Sequence, residues 1–278
     1  MKKKILLIND MAGYGKVATA AMLPILSYMG VETYNLPTAL VSNTLSYPNF
    51  TILDTTDYIK KTLPVWEELG FRFDALSTGF LASPLEANII SEYCQKQADR
   101  GVTIFCDPIM GDDGELYNGV DDIIIASMRK MVAVADVVFP NYTEACLLTD
   151  TPYKPEGLSR QEAFEMADNL RQIGAKNVVI TSCIVYEEGE QQHCVILFNA
   201  NQNECQILPY HEIPVSFPGT GDIFSAIFIG NRLNNTPLLQ STQAAMDIVA
   251  KLIYLCKDQH DKNRGIPLEK YLGLLNRG

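Results

Sequence analysis

The feature that most constrains this 278-residue chain is a regular alternation of short apolar runs with amphipathic helical stretches. Apolar runs predict strands at residues 5–8, 74–78, 102–106, 137–139 and 178–181. Helical periodicity and stop signals predict helices at residues 19–29, 84–100, 123–134, 143–148 and 159–173. Repeated strand–helix–strand units form parallel sheets that helices cover. We therefore predict an α/β fold with a central, mostly parallel sheet and helices on both faces.

The pattern changes after Thr181. Residues 193–199 and 204–209 predict a β-hairpin, and helices are predicted from residue 221 through 229 and over residues 238–256. No internal repeat, low-complexity segment or linker divides the sequence. We therefore predict a single domain over residues 1–278.

Charge and cysteine content exclude several classes of protein. The chain has 22 basic and 33 acidic residues and a net charge of −11, which argues against binding to nucleic acid or an anionic membrane. No stretch approaches the roughly 18 apolar residues of a membrane span. The seven cysteines are scattered and include no CxxC pair, which indicates reduced thiols. We expect a cytoplasmic protein that binds neither nucleic acid nor membrane.

The strongest chemical signal is Pro218-Gly219-Thr220-Gly221-Asp222, which precedes a predicted helix. Glycines let a turn present successive N–H groups to one anion, and the helix adds its positive N-terminal end. Gly219, Thr220 and Gly221 are therefore predicted to stabilise a migrating phosphoryl group. Asp222 is predicted to accept the proton of the hydroxyl that attacks phosphorus. The alternative is a simple glycine turn with a helix cap.

Carboxylates follow two of the predicted strands. Asp107 and Glu144 lie where open α/β sheets bind ligands, at the carboxyl ends of strands. Such oxygen ligands suit Mg²⁺, which keeps several waters, so we expect contact through water; Asp112 is a further candidate ligand. The alternative is that Asp107 and Glu144 are turn and cap residues.

Several segments, in order along the chain, resemble the pyridoxal (vitamin B6) kinases of the ribokinase superfamily. They include Cys-Asp-Pro-Ile-Met-Gly-Asp at 106–112 and Pro-Asn-Tyr-Thr-Glu-Ala at 140–145, with shorter matches at 8–15, 41–43, 77–81 and 178–182. The resemblance implies a three-layer ribokinase-like fold and ATP-dependent phosphorylation of the 5′-hydroxyl of pyridoxal, pyridoxine or pyridoxamine. It also implies Mg²⁺ and a homodimer, and it leaves a monovalent cation open.

The resemblance also implies roles for individual residues near the ATP phosphates. Asn141, Thr181 and Ser182 are neutral donors in segments that match the family. Tyr117 aligns with a family residue near the same phosphates and metal.

At the acceptor, the resemblance implies contacts from Asp10, Ser42, Asn43 and Phe80. The family usually has Ser at the position of Asp10, Thr close to that of Leu45 and Tyr at that of Phe80. Asp10 is still suited to hold a pyridine nitrogen or a ring hydroxyl, unless it is only a strand-end turn residue. Phe80 keeps a stacking face.

Three alternative functions stay open. Hydroxymethylpyrimidine kinases share the superfamily but commonly carry Gly-Thr-Gly-Cys, so Asp222 favours a B6 vitamer. Sugar and nucleoside kinases tend to be longer and to carry an extra sheet with polar sugar-binding residues near the N-terminus, so the short N-terminal region of this sequence disfavours them. A non-catalytic vitamer-binding protein on a degenerate kinase fold conflicts with the intact Gly-Thr-Gly-Asp turn.

Overall fold

The structure is a computed structural model that describes residues 2–117, 122–187 and 189–276. Its strands are, in chain order, β1 (Lys4–Ala12), β2 (Glu32–Val41), β3 (Ile52–Asp54), β4 (Ala75–Thr78), β5 (Thr103–Cys106), β6 (Gly111–Asp112), β7 (Glu115–Leu116), β8 (Val137–Val138), β9 (Asn177–Glu187), β10 (Glu190–Asn199) and β11 (Glu204–Pro209). Its α-helices are α1 (Ala18–Tyr28), α2 (Thr56–Glu68), α3 (Pro84–Ala98), α4 (Ile123–Ala133), α5 (Tyr142–Thr149), α6 (Arg160–Ile173), α7 (Thr220–Leu233) and α8 (Leu238–Cys256).

The chain forms two compact units. The first consists of the segments up to Ala82 and from Ile213 onward, and the second is Ser83–Glu212. In the first unit the strand order is β4-β1-β2-β3, with β1 parallel to both β4 and β2 and with β3 antiparallel at the edge. Helix α1 packs on β1 and on α7, and α7 packs on α8. This unit carries the glycine turn at the start of α7.

In the second unit the strand order is β11-β10-β9-β8-β5. Strands β5, β8 and β9 are parallel, whereas β10 and β11 extend the sheet in antiparallel fashion. A separate two-stranded hairpin joins β6 to β7. The parallel pairings at β4-β1-β2 and at β5-β8-β9, with helices packed on the strands, confirm the predicted α/β class.

Burial follows from the apolar runs. Ile5, Leu6, Leu7 and Ile8 of β1 are each at most 1% exposed, as expected for a parallel strand that is covered on both faces. In α6 the buried residues Ala163, Met166, Ala167 and Leu170 recur at helical spacing. A strand and a helix thus bury their apolar side chains in the two patterns expected for this class.

Sequence periodicity missed two strands and one α-helix of the first unit (β2, β3 and α2), and β2 and α2 each contain a proline. Pro64 lies inside α2, where it cannot donate a backbone hydrogen bond, and Pro37 lies inside β2. The register between β1 and β2 shifts between Asn9 and Met11, beside the pairing of Asn9 with Pro37. The proline therefore accompanies a bulge that includes Asp10.

Other differences concern the ends of elements. β1 continues to Ala12, so Asp10 lies within the strand and is not a strand-end turn residue. β9 continues past Thr181 to Glu187, because β10 pairs along its whole second half. The predicted hairpin of β10 and β11 is confirmed. No helix in the described part of the chain combines the length and apolarity needed to cross a membrane.

Candidate active site

The glycine turn lies in the first unit, directly before α7. Gly219 is the N-cap residue of α7 and has φ 85°, a left-handed conformation that favours glycine. A Cβ at this position would overlap with the carbonyl oxygen of Lys16. The hydroxyl of Thr220 donates to the carbonyl of Phe217 at 3.2 Å, and the space around Gly221 is open. The turn therefore presents the N-terminal N–H groups of a 14-residue helix to open space, as an anion site requires.

Asp222 lies at this helix N-terminus with both carboxylate oxygens engaged. Oδ2 accepts a 2.7 Å hydrogen bond from the backbone N–H of Ala18, and Oδ1 accepts from Asn9 Nδ2 at 3.5 Å. Burial raises the pKa of Asp222 from 3.8 to about 6, and the two donors oppose that rise. Asp222 is therefore largely ionised at neutral pH yet basic enough to accept a proton.

Ala18, which supplies the shorter of these hydrogen bonds, has φ 47°. A left-handed conformation at a residue other than glycine is strained, and such strain is concentrated at functional sites. Here the conformation aims the N–H of Ala18 at Asp222. Neither Ala18 nor Asn9 was predicted as a site residue, since neither type has a distinctive chemical signature in a sequence.

Asp10 is the second acidic group near the turn. Burial, and then the charge of Asp222, raise the pKa of Asp10 from 3.8 to about 7. Its carboxylate is reached by a hydrogen bond from its own backbone N–H, which lowers the pKa and which also donates to Asn9 Oδ1 at 3.0 Å, and no other described residue is seen to donate to it. The carboxylate is therefore available to a bound molecule, and a cationic or hydroxyl group there would relieve its desolvation.

The other predicted acceptor residues lie in two segments of the first unit. Phe80 is half-buried, its N–H donates to Asn9 Oδ1 at 2.8 Å, and its carbonyl accepts from Thr38. Ser42 and Asn43 bond to each other at 2.6 Å, and Asn43 Nδ2 also donates to the carbonyl of Asn49. The structure thus connects Phe80 to Asp10 through Asn9, whereas Ser42 and Asn43 organise their own loop.

In the second unit, carboxylates gather beyond the ends of β5 and β8. Glu144 is 3% exposed and is the third residue of a capping box on α5, with Asn141 as N-cap. Its Oε2 accepts from the N–H of Asn141 at 2.8 Å, and its Oε1 accepts from the N–H of Met110 at 3.0 Å. Burial first, and then the charges of Asp107 and Asp112, raise the pKa of Glu144.

This cluster suits a hard cation that keeps its waters. Asp107, Asp112 and Glu144 supply oxygen ligands, and the mutual repulsion that raises the pKa of Glu144 would be relieved by a positive ion. Within the described ranges no three His, Cys, Asp or Glu side chains lie close enough to hold a metal ion directly. Because Glu144 is also engaged by two backbone N–H groups, the cap interpretation of this residue describes its contacts correctly.

The predicted ATP residues also lie in the second unit. Thr181 lies opposite Asn141 in an isolated parallel bridge, and its N–H donates to the carbonyl of Pro140 at 3.0 Å. Ser182 has φ 56°, another strained conformation at a residue other than glycine. Tyr117 is 39% exposed, and its N–H donates to the carbonyl of Met110 at 2.9 Å. Asn141 and Thr181 are therefore neighbours, and Tyr117 bonds to the backbone segment that also contacts Glu144.

The chain is similar to known proteins in sequence and in fold. The sequence profile of the phosphomethylpyrimidine kinase family matches residues 21–266. The pyridoxal kinase of Dictyostelium discoideum is 23% identical over 97% of this chain and 91% of its own length. A Bacteroides thetaiotaomicron protein, described as a candidate phosphomethylpyrimidine kinase and solved with pyridoxal, is 34% identical with a TM-score of 0.93, over 100% of this chain and 96% of that one.

The pyridoxal kinase of Leishmania donovani, solved with ADP and pyridoxamine, has a TM-score of 0.85 at 22% identity, over 99% of this chain and 96% of that one. These likenesses confirm the resemblance to pyridoxal kinases and the predicted three-layer ribokinase-like fold. Since the family profile covers well over half of the sequence, the chain belongs to the phosphomethylpyrimidine kinase family.

Proposed function

We propose that this chain is a pyridoxal kinase, which transfers the γ-phosphoryl group of ATP to the 5′-hydroxyl of pyridoxal, pyridoxine or pyridoxamine. The observation that carries the proposal is Asp222, a carboxylate of pKa about 6 at the N-terminus of α7, in a turn built to hold an anion. Relatives named pyridoxal kinase that match most of the chain, and the related protein solved with pyridoxal, support the choice of substrate.

In the reaction, Asp222 takes the proton of the 5′-hydroxyl as its oxygen forms a bond to the γ-phosphorus. The bond from that phosphorus to the β–γ bridging oxygen breaks, and ADP leaves with the electron pair. The N–H groups of the Gly219–Gly221 turn stabilise the charge on the phosphoryl oxygens during the transfer. A base of pKa near 6 suits this step, because it is ionised at neutral pH and still accepts a proton.

Asn141, Thr181, Ser182 and Tyr117 are proposed to contact ATP. Asp107, Asp112 and Glu144 are proposed to hold Mg²⁺ through its waters, since Glu144 is already bonded to two backbone N–H groups. The ion would neutralise the charge on the ATP phosphates. Activity measured with and without a monovalent cation tests whether the enzyme requires one.

At the acceptor, Asp10 is proposed to bind the pyridine nitrogen or a ring hydroxyl, and Phe80 to stack on the ring. The open carboxylate of Asp10 and its raised pKa support this role, because a hydrogen-bond donor from the ring would stabilise the charged form. Ser42 and Asn43 are proposed to border the acceptor through the loop that they organise.

Hydroxymethylpyrimidine is the second candidate substrate, and the family that matches the chain, described as phosphomethylpyrimidine kinase, supports a pyrimidine acceptor. A sugar or nucleoside kinase and a non-catalytic vitamer-binding protein are less well supported. A coupled assay of ADP release across pyridoxal, pyridoxine, pyridoxamine, hydroxymethylpyrimidine and several sugars separates them. We expect the highest kcat/KM with a B6 vitamer. Higher kcat/KM with the pyrimidine or a sugar, or vitamer binding without ADP release, would overturn the proposal.

The setting of the reaction is also proposed. Both units are expected to act as one kinase domain over residues 1–278, in a homodimer. The seven free cysteines, six of them buried, support a reducing compartment such as the cytoplasm. The net charge of −11 argues against nucleic acid as a partner.

A further inference from the structure

Asn9 is a buried amide at the centre of the first unit's acidic site. It is 2% exposed, and its Oδ1 accepts from the N–H groups of Asp10 at 3.0 Å and Phe80 at 2.8 Å. Because a backbone N–H can only donate, these two contacts identify which end of the amide is oxygen. The NH₂ end must therefore point the other way, toward Asp222 and the sulfur of Met22.

The contact with Asp222 completes the hydrogen bonding of that carboxylate. Asn9 Nδ2 lies 3.5 Å from Oδ1, and the N–H of Ala18 lies 2.7 Å from Oδ2. The amide contact is long for a hydrogen bond. Catalytic hydrogen bonds are often long without substrate and shorten in the reacting complex. Each carboxylate oxygen thus has one donor and retains a lone pair for a proton.

Gly79 shows that the backbone is shaped around this amide. A Cβ at Gly79 would overlap with Cγ, Oδ1 and Nδ2 of Asn9, whereas the backbone N–H of Gly79 donates to the carbonyl of Ile8 at 3.0 Å. Any larger residue would displace Asn9 from its two backbone donors. Glycine is required at this position because the Asn9 side chain occupies the space that a Cβ would need.

We propose that Asn9 is a positioning residue, which orients the carboxylate of Asp222 and ties it to the backbone of Phe80 on the acceptor side. The proposal rests on the proposed function, because the role matters only if Asp222 acts on a substrate hydroxyl. A base that is held by donors on both oxygens loses little orientation entropy on reaching the reactive geometry. The same amide contacts the backbone of Phe80 with its oxygen and the carboxylate of Asp222 with its nitrogen. The positions of the acceptor and of the base therefore both depend on the Asn9 side chain.

The substitution Asn9→Asp isolates the donated hydrogen bond. It keeps an oxygen for the two backbone N–H groups but removes the NH₂ and adds a carboxyl group. The charged group that interacts with Asp222 is Asp10 on β1, while Lys16, whose backbone adjoins Gly219, has its ammonium paired with Glu269. Asp222 then loses one donor and gains an acidic neighbour, so its pKa should rise. The acid limb, which is the fall of kcat at low pH, should therefore move up by about one pH unit or more. Turnover at pH 6.5 should fall by about threefold or more, because the ionised fraction of Asp222 falls, with KM for the vitamer nearly unchanged.

Asn231→Asp is the matched control. Asn231 is also buried in the first unit, but its Nδ2 donates to the carbonyl of Ile227 at 2.9 Å, farther along α7. It should lower stability without moving the acid limb. If Asn9→Asp leaves the acid limb at its wild-type position, or if Asn231→Asp moves it equally, the positioning role is wrong.

A measurement on the wild-type chain needs no substitution at Asn9. The ¹H–¹⁵N signals of the Asn9 NH₂ should titrate with the midpoint of Asp222, and this titration should vanish in Asp222→Asn. If the chemical shifts of these signals do not change between pH 4 and pH 8, the proposal is wrong, even if Asn9→Asp fails to fold. An absence of ADP release from the wild type would instead refute the proposed function and leave this titration to decide the contact.

Discussion

Asp10 and Asp222 are far apart in the sequence but interact in the first unit, and their different surroundings suit them to different roles. Asp222 accepts from two other residues, one on each oxygen, and has a pKa of about 6, whereas among the described residues Asp10 accepts only from its own N–H and has a pKa of about 7. The hydrogen-bonded acid keeps its charge and suits proton transfer. The other gains most from a ligand that donates to it, so it suits recognition.

Replacing Asp222 by Asn tests the base directly. Without a proton acceptor, turnover should fall by ~10² or more while vitamer and ATP binding stay within a few-fold. Steady-state ADP release and equilibrium binding measure the two effects. Asp247→Asn, at an exposed acid of α8, serves as the control and should change neither. Full activity of Asp222→Asn would remove this residue from the mechanism.

The wild-type pH profile follows from the same group. Asp222 must be ionised to accept a proton, so kcat should fall as the pH drops below about 6 in proportion to the protonated fraction. Turnover measured from pH 5 to pH 8, with enzyme stability checked at each pH, tests this expectation. A flat profile across this range would contradict it.

Asp10 should make the stability of the free protein depend on pH. Its pKa is raised from 3.8 in the unfolded chain to about 7 in the fold. The folded state therefore binds a proton more tightly, and stability is lost as the pH rises from about 4 through 7. Asp10→Asn removes this loss, so the variant should gain roughly 1–3 kcal/mol over wild type at pH 8 relative to pH 4, after allowance for solvent screening.

Chemical unfolding at the two pH values measures the effect. The control is Asp57→Asn, at a side chain of α2 that is 89% exposed. A gain that is equal at both pH values would show that the charge of Asp10 is not the cause.

At the scale of elements, two helices of the second unit, α5 and α6, each begin with a capping box. Ser159 caps α6 and Asn141 caps α5, and in each case the glutamate three residues later bonds back to the cap residue. In α5 the cap residue also donates outside the helix, from Asn141 Nδ2 to the carbonyl of Gly111 at 2.8 Å, whereas in α6 the outside contact is the ion pair of Glu162 with Lys154. One capping box is structural, while the other lies among the carboxylates proposed to act with Mg²⁺.

This pair provides an internal comparison. Ser159→Ala and Asn141→Ala should each lose about 1 kcal/mol of unfolding free energy, because both leave helix N–H groups without a partner. Only Asn141→Ala should also raise KM for ATP, by about tenfold. Denaturant unfolding and ADP-release kinetics on both variants test the distinction. Equal loss of activity in the two would assign Asn141 to structure alone.

At the scale of the whole molecule, the proposed chemistry is divided between the units. The first contains the proposed base, the glycine turn and the proposed acceptor residues, and the second contains the carboxylate cluster and the proposed ATP contacts. Both cores depend on side chains that water does not reach, including six of the seven cysteines. Thiol reactivity therefore reports on the folding of both units.

The native chain should expose a single slowly reactive thiol. Cys205 is the one cysteine that is not fully buried, and partial burial raises its pKa to about 11. Titration with a thiol reagent should modify at most one group per chain in buffer and all seven in denaturant. Cys205→Ser is the control and should abolish the native reaction. Rapid modification of several thiols in buffer would contradict the buried cores.

Sequence reasoning found the fold class because apolar runs and helix signals are local. Some signals are complete within a few residues, so they can be recognised without knowledge of distant contacts. Examples are the apolar runs at Ile5–Ile8 and Val178–Ile180 and the capping box at Ser159. Strand β2 and helix α2 were missed because Pro37 and Pro64 oppose them locally. Distant contacts outweigh those prolines in the fold.

The sequence by itself determined the α/β class, the glycine turn before α7 and the acids that carry the proposed chemistry. Only the tertiary structure decided their states, because desolvation and neighbouring charges depend on residues far apart in the chain. Asn9 and Ala18 contact Asp222 although more than 200 residues of sequence separate them from it, and no local sequence pattern predicts these contacts. The same distance explains why the charge of Asp10 depends on Asp222, a coupling that exists only once β1 and α7 have come together.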